Sequence, residues 1–156
     1  MPSTLVRPLD LSDAATAVAV HRIGRAAYAV EAALIGFDGI PALGESLAEM
    51  RGRPLRWLGA VAPDGGIAGF LAWEEPGSGG PVILDRLCVD PSRFRGGVAS
   101  LLLRHALREL FPGRTVEVTT GADNAPAVAL YERLGFVRGA DFSPAPGLRM
   151  ASFTHG

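Results

Sequence analysis

The stretch Leu87-Cys88-Val89-Asp90-Pro91-Ser92-Arg93-Phe94-Arg95-Gly96-Gly97-Val98-Ala99 decides the fold, because one periodicity ends in it and another begins. Before it, Val82 to Val89 reads as a strand that stops at Asp90-Pro91. After it, Val98 to about Leu110 reads as a long apolar helix, stopped by Phe111-Pro112-Gly113. A loop that feeds a helix N-terminus is a ready anion cradle, since the first helical N–H groups have no internal partner and the macrodipole favours negative charge. Gly96 and Gly97 would let a ligand approach the backbone, and Arg93 and Arg95 add two permanent charges suited to phosphate. A glycine pair before a helix is also a common plain turn, and these residues alone leave both readings open. There is no G-x-x-x-x-G-K-[ST] and no early G-x-G-x-x-G, which argues against a P-loop NTPase and a dinucleotide fold.

Upstream, a meander of three strands is expected. Leu55 to Ala62 turns at Pro63-Asp64-Gly65-Gly66, Ile67 to Glu74 turns at Pro76-Gly77-Ser78-Gly79-Gly80, and Val82 to Val89 follows. Earlier still come a short strand, Thr4 to Pro8, and a helix capped by Ser12 with Asp13 in its first turn, running to about Ala33. A second short helix covers about Gly44 to Arg51. Downstream, Thr115 to Thr120 is a strand, and Asp123 or Asn124 caps a helix with Pro126 in its first turn. Ala127, Leu130, Tyr131 and Leu134 fall on one face of that helix, and Gly135 suits its end. Strands at about Phe136–Gly139 and Leu148–Thr154 finish the chain. The order β-α-α-β-β-β-α-β-α-β-β joins a meander to a βαβ unit, so the fold class is α/β, with a mixed sheet and helices on both faces.

At 156 residues the chain reads as a single domain, residues 1–156. A 48% hydrophobic and 20% charged composition excludes a disordered chain. A net charge of −1 gives no global field for nucleic acid, and no apolar run is long enough to span a bilayer, so neither nucleic acid nor membrane is expected as a partner. The segment Ala14–Val20 is short and lacks a basic leader, so it reads as a helix face and the expected location is the cytoplasm. A single cysteine and three scattered histidines offer no metal motif, so no metal is expected. All fifteen basic residues are arginine, which excludes lysine chemistry.

A second segment joins the first. Leu87-Cys88-Val89-Asp90-Pro91, Arg95-Gly96-Gly97-Val98-Ala99 and Leu101-Leu102-Leu103 resemble the acyl-CoA-binding segment of the GNAT N-acetyltransferase superfamily. Asn124-Ala125-Pro126-Ala127-Val128-Ala129-Leu130-Tyr131-Glu132-Arg133-Leu134-Gly135-Phe136 resembles that family's N-x-x-A-x-x-x-Y-E-[KR]-x-G-F segment. The element order also matches, so the resemblance covers the whole chain and is most specific from Leu84 to Phe136. One position departs. The family's pyrophosphate loop reads Q/R-x-x-G-x-G/A, and Phe94 stands at the Q/R position, flanked by Arg93 and Arg95. A backbone cradle survives that change, whereas a side-chain contact from position 94 to phosphate does not.

The resemblance implies a bacterial-type GNAT fold whose sheet is mostly antiparallel. It implies acetyl-CoA as cosubstrate and direct attack by a primary amine in a ternary complex, with a small-molecule or peptide acceptor. It places the donor on Leu87, Cys88, Val89, Arg95, Gly96, Gly97, Val98, Ala99, Ser100, Asn124 and Tyr131. The strand ending at Val89 is expected to splay from Thr115–Thr120, so that the pantetheine amides complete the sheet at Leu87 and Val89, and an N–H near Leu87 polarises the thioester. Tyr131 matches the general acid, since a phenol keeps its proton at neutral pH. The plainer readings are a core tyrosine for Tyr131 and a helix cap for Asn124.

The base is open. Asp85, placed by strand alternation on the face of Leu87 and Val89, is one candidate, although it could instead pair with Arg86 or Arg93. Glu74, Glu75 and Glu31 are rivals, and bulk water could carry the proton. Cys88 reads as a small buried hydrophobe and not a nucleophile, His21 and Arg22 as surface, Trp57 and Trp73 as sheet packing. The resemblance puts the acceptor pocket at about Tyr28–Glu49 and Asp141–Leu148, with Tyr28, Glu31, Phe37 and Glu74 as substrate-binding candidates and Asp38 beside them. The rival functions are a non-catalytic CoA-binding regulatory module on the same fold and an unrelated phosphate-binding α/β domain. The late strands offer an edge for a homodimer.

Overall fold

The computed structural model describes residues 3–75 and 77–156, so Pro76 of the expected second turn lies outside the described residues. Strand β1 is Leu5–Pro8, helix α1 Ala14–Ile35 and α2 Leu47–Arg51. The meander is β2 Arg56–Val61, β3 Ile67–Glu74 and β4 Val82–Val89. Then come α3 Val98–His105, β5 Val116–Gly121, α4 Ala125–Arg133, β6 Val137–Arg138, β7 Phe142–Ala145 and β8 Leu148–His155. One sheet runs β1-β2-β3-β4-β5-β8-β6, with β7 also on β8. Among the described residues only the β4–β5 pairing is parallel, so the sheet is mixed and mostly antiparallel, as expected.

Both faces are covered. Against α3 and α4, Leu58, Leu71, Trp73, Val82 and Leu84 pack with Leu102, Leu103, Tyr131, Phe136 and Phe153. Against α1 and α2, Trp57, Phe70, Ala72 and Cys88 pack with Ala17, Val20, Ile23 and Met50. Both tryptophans are sheet packing, Trp57 tilted on Phe70 and Trp73 edge-on to Phe111.

Local chemistry moves several boundaries. Asp13, not Ser12, caps α1: its Oδ2 accepts from Thr16 N at 3.0 Å, while the Ser12 hydroxyl is spent on Asp10. Helix α1 runs on to Ile35 and ends at Gly36 in the left-handed region. The expected helix at 44–51 starts later, at Leu47. Pro41–Gly44 is a 3₁₀ turn, and Ser46 with Glu49 forms a reciprocal capping box that starts α2. The last turn before Phe111, Ala106–Leu110, is π-helical. An eighth strand, β7, appears where a loop was expected. Strand β8 is paired on both sides, by β5 on one and by β6 and β7 on the other, so of the two expected late strands it is β6, with the added β7, that lies at the edge of the sheet. Among the described residues, no helix is long and apolar enough to cross a membrane.

Candidate active site

Strands β4 and β5 pair only at Val82–Val116, Ile83–Glu117 and Leu84–Val118. Beyond that stem they part, leaving a fork between Asp85–Val89 and Thr119–Gly121. Asp90 N donates to Ala68 O of the β3 side at 2.9 Å. Backbone groups alternate along a strand, so the N–H and C=O of Leu87 and Val89 face away from β3, into the fork. Buried backbone polar groups must find partners, and a fork edged by such groups is a slot for a chain of amides.

A bulge turns the strand at this point. Leu84 pairs with Trp73 and Arg86 with Ala72, so Asp85 has no partner on β3. The extra residue reverses the alternation. Leu84 faces the α3 core before the bulge, as do Leu87 and Val89 after it, while Cys88 faces α1. This corrects the simple alternation that put Asp85 beside Leu87 and Val89. Asp85 and Arg86 instead turn together toward the α1–α2 layer.

There they join a network of four charges. Arg86 Nη1 and Nη2 donate to the two oxygens of Glu45 at 2.7 and 3.2 Å, and its Nε donates to Asp85 Oδ2 at 2.8 Å. Arg53 closes the ring, 3.4 Å from Asp85 Oδ1 and 3.9 Å from Glu45 Oε2. The Arg86 guanidinium is only 6% exposed and lies 5.7 Å over the Trp57 ring. Burial pulls the Arg86 pKa down, but its hydrogen bonds to Glu45 and Asp85 outweigh that and hold it charged. His21 Nε2 meets the Glu45 carbonyl oxygen at 2.8 Å, fixing the segment that delivers Glu45.

The mouth of the fork is set by two glycines. A Cβ on Gly69 would stand 2.9 Å from Val98 Cγ1 and 2.8 Å from the Cys88 carbonyl oxygen, so the bare backbone lets α3 start directly over Val89. A Cβ on Gly121 would stand 2.6 Å from Ile35 Cγ2, so the last turn of α1 rests on the end of β5. The loop before α3 holds Arg95 at φ 69 and Gly97 at φ 73. Arg93 is drawn to Asp64 at 3.2 Å, whereas Arg95 is exposed and has no ion-pair partner among the described residues. Phe94 is 48% exposed.

Tyr131 is 5% exposed, with its ring 5.4 Å from both Phe136 and Phe153. Burial, then the charge of Glu31, then Cys88 push its phenol upward, so it stays protonated. Asn124 caps α4 through Oδ1 to Ala127 N at 3.3 Å, and its Nδ2 donates to Thr120 Oγ1 at 3.4 Å. Glu31 Oε1 accepts from the same Thr120 hydroxyl at 3.3 Å and lies 3.5 Å from Gly121 N. Burial pushes the Cys88 thiol up to about 12, which leaves it un-ionised at neutral pH. Tyr28 is raised as well, chiefly by burial. The structure therefore brings Leu87, Val89, Tyr131, Asn124, Glu31, Tyr28 and Asp85 around one fork. It does not bring in Glu74, which is beside Ile83 at the stem, or Glu75, which is paired with Arg114. Ser100 Oγ accepts from Arg133 and ties α3 to α4.

The family model for the acetyltransferase (GNAT) family matches residues 28–136. This chain belongs to the GNAT acetyltransferase family. It is 33% identical over 127 residues to the UPF0157 protein YqkA of Bacillus subtilis, covering 81% of this chain and 36% of that protein. It is 35% identical over 97 residues to the streptothricin acetyltransferase of Streptomyces lavendulae, covering 60% of this chain and 50% of that protein. The chain thus spans half or less of the curated relatives it matches. The PaiA N-acetyltransferase of Thermoplasma acidophilum, solved in complex with coenzyme A, shares the fold at TM-score 0.72 and 16% identity, over 96% of this chain and 98% of that one.

Within the GNAT frame, sequence reasoning missed Glu45, Arg53 and the pairing of Arg86 with Glu45. One signal was present: the adjacent charges Asp85-Arg86 interrupt an otherwise apolar strand at the position of the bulge.

Proposed function

We propose that this GNAT protein transfers an acetyl group from acetyl-CoA to a primary amine, by direct attack in a ternary complex. The observation that carries this reading is the fork, with the backbone of Leu87 and Val89 turned into it. Those groups fit the amides of a pantetheine arm, and the first N–H groups of α3 at Val98, Ala99 and Ser100, with Arg95, Gly96 and Gly97 before them, fit a pyrophosphate. Phe94 brings no charge there, so Arg95 is the side chain left to meet it.

Acetyl-CoA supplies an activated acyl carbon and a thiolate leaving group. A backbone N–H at Leu87 is a donor of the kind that stabilises charge building on a carbonyl oxygen. Tyr131, kept protonated by burial, donates its proton to the departing sulfur. Cys88 takes no part, since a thiol pushed to about 12 is a poor nucleophile and no covalent acyl-enzyme is needed.

The test is release of free CoA from acetyl-CoA across a panel of primary amines, with streptothricin included because one relative bears that name. Turnover with one amine class is expected, and Tyr131→Phe should cut kcat by about a hundredfold while CoA still binds. The regulatory-module reading is favoured by one feature, the uncharged Phe94 in the pyrophosphate loop. CoA binding without turnover on any amine, or with acyl chains other than acetyl, would select it.

A further inference from the structure

An amine acceptor arrives at neutral pH as an ammonium ion and cannot attack until it loses a proton. The fork has several carboxylates near it, and their partners separate them. Both oxygens of Asp85 are held by Arg86 and Arg53, and both of Glu45 by Arg86. Asp90 is held by Ser92 and Arg22. Glu74 and Glu117 stand beside Ile83, in the closed stem. Glu31 is different. It lies in the last turns of α1, which Ile35 seats on Gly121, and it reaches β5 past the point where β5 leaves β4. Its two contacts, Thr120 Oγ1 at 3.3 Å and Gly121 N at 3.5 Å, both use Oε1. Oε2 has no partner, and Glu31 has no arginine, among the described residues.

We infer that Glu31 is the carboxylate that receives the acceptor: it holds the ammonium and takes its proton, directly or through one water. This inference rests on the acetyl-transfer reading above. The balance is simple. One ammonium N–H bond breaks to Glu31 and the freed lone pair forms the N–C bond; as the C–S bond breaks, Tyr131 protonates the sulfur and the second N–H proton leaves the nitrogen through water to the phenolate. Tyr131 is thereby restored, and Glu31 returns its proton to solvent, the one proton released per turnover.

The groups around Glu31 suit this role. Tyr28 on α1, Cys88 on β4 and Tyr131 on α4 each feel its charge, and Thr120 of β5 donates to it. Arg86 is neutralised by Glu45 and Asp85, so it does not capture Glu31. The charge on Glu31 is one of the causes that raise Tyr131. Protonating Glu31 removes that charge and makes the phenol a better acid when the sulfur needs its proton.

Glu31→Gln keeps an oxygen for Thr120 while removing the base. The experiment is a pH profile of kcat/KM for the best amine, pH 6 to 10, for wild type, Glu31→Gln and Asp85→Asn, with the melting shift by CoA measured on each. Glu31→Gln is expected to lose about a hundredfold or more at pH 7, to recover as pH approaches the amine pKa of about 10, and to keep its CoA shift. Wild-type kcat/KM in Glu31→Gln, a loss equal at every pH, or recovery with pH in Asp85→Asn instead would each overturn the inference and leave acetyl transfer standing. Failure of wild type on every amine would overturn acetyl transfer and this inference together.

Discussion

The two sides of the fork are built from different materials. The side proposed for the donor is backbone: groups of β4 turned away from β3, the N–H groups that open α3, and glycines that let elements approach. The side proposed for the acceptor is side chains: Arg86, Glu45, Asp85 and Arg53 in one ring, with Tyr28 near it and Glu31 held to β5. A backbone slot tolerates sequence change wherever the strand path is kept, which is how Phe94 can replace a polar residue in the loop. A charge ring tolerates little, because each member is there to offset another. The two sides should therefore answer differently to substitution.

The strongest way to break that contrast is to remove one member of the ring. Glu45→Ala leaves Arg86 buried beside Asp85 with its bidentate partner gone, and should cost about 3–5 kcal/mol in urea unfolding. A loss below about 1 kcal/mol would show that the ring behaves as a surface network and not as a buried one. Next in size, Gly121→Val drives a side chain into Ile35 and should cost about 1–3 kcal/mol. It should weaken amine turnover more than CoA binding, since it moves α1 and leaves α3 in place. Equal losses on both would erase the distinction between the sides.

A pH effect of similar size concerns the groups buried un-ionised between them. Cys88 is raised from 9.0 to about 12, and Tyr131 and Tyr28 are raised above 10.0. For each, the unfolded chain ionises first, so the contribution is whole below the unfolded pKa and is lost as pH rises through the window above it. Unfolding free energy should fall from about pH 9 upward, at up to about 1.4 kcal/mol per pH unit for each group that has begun to ionise, and the melting temperature with it. Cys88→Ala should remove the part that begins near pH 9. A melting temperature flat to pH 11 would contradict the burial of these groups. Smallest is Arg95→Gly. It relieves a left-handed residue and should raise stability by about 1 kcal/mol, yet weaken CoA binding by removing the free charge of the loop. A CoA affinity unchanged in the variant would leave the loop as pure backbone.

The same contrast explains what could be read from sequence. The helix at Val98, the cap at Asn124 and the Gly96-Gly97 turn are local patterns, and local patterns show in a string. The parting of β4 from β5 is not local, and it was anticipated only through the family resemblance. The ring joins positions 41 apart for Arg86 with Glu45 and 32 apart for Arg53 with Asp85, and no periodicity encodes such distances. The bulge at Asp85 defeated the alternation rule because one extra residue reverses every side chain after it. Strand β7 was missed because Ser143 and Pro144 break the apolar pattern of so short an edge element. The end of α1 was set two residues early because Leu34 and Ile35 precede a run rich in glycine, and the left-handed cap falls on its first member, Gly36.

The fork as a slot for pantetheine is the central claim, and a melting comparison of CoA with adenosine 3′,5′-bisphosphate tests it most directly. The nucleotide shares the phosphates but lacks the amide arm, so CoA should stabilise the protein clearly more, because ligand that binds only the folded state raises its stability with affinity. Equal stabilisation by the two would mean that the amides find nothing in the fork, and that the backbone of Leu87 and Val89 does not hold the donor.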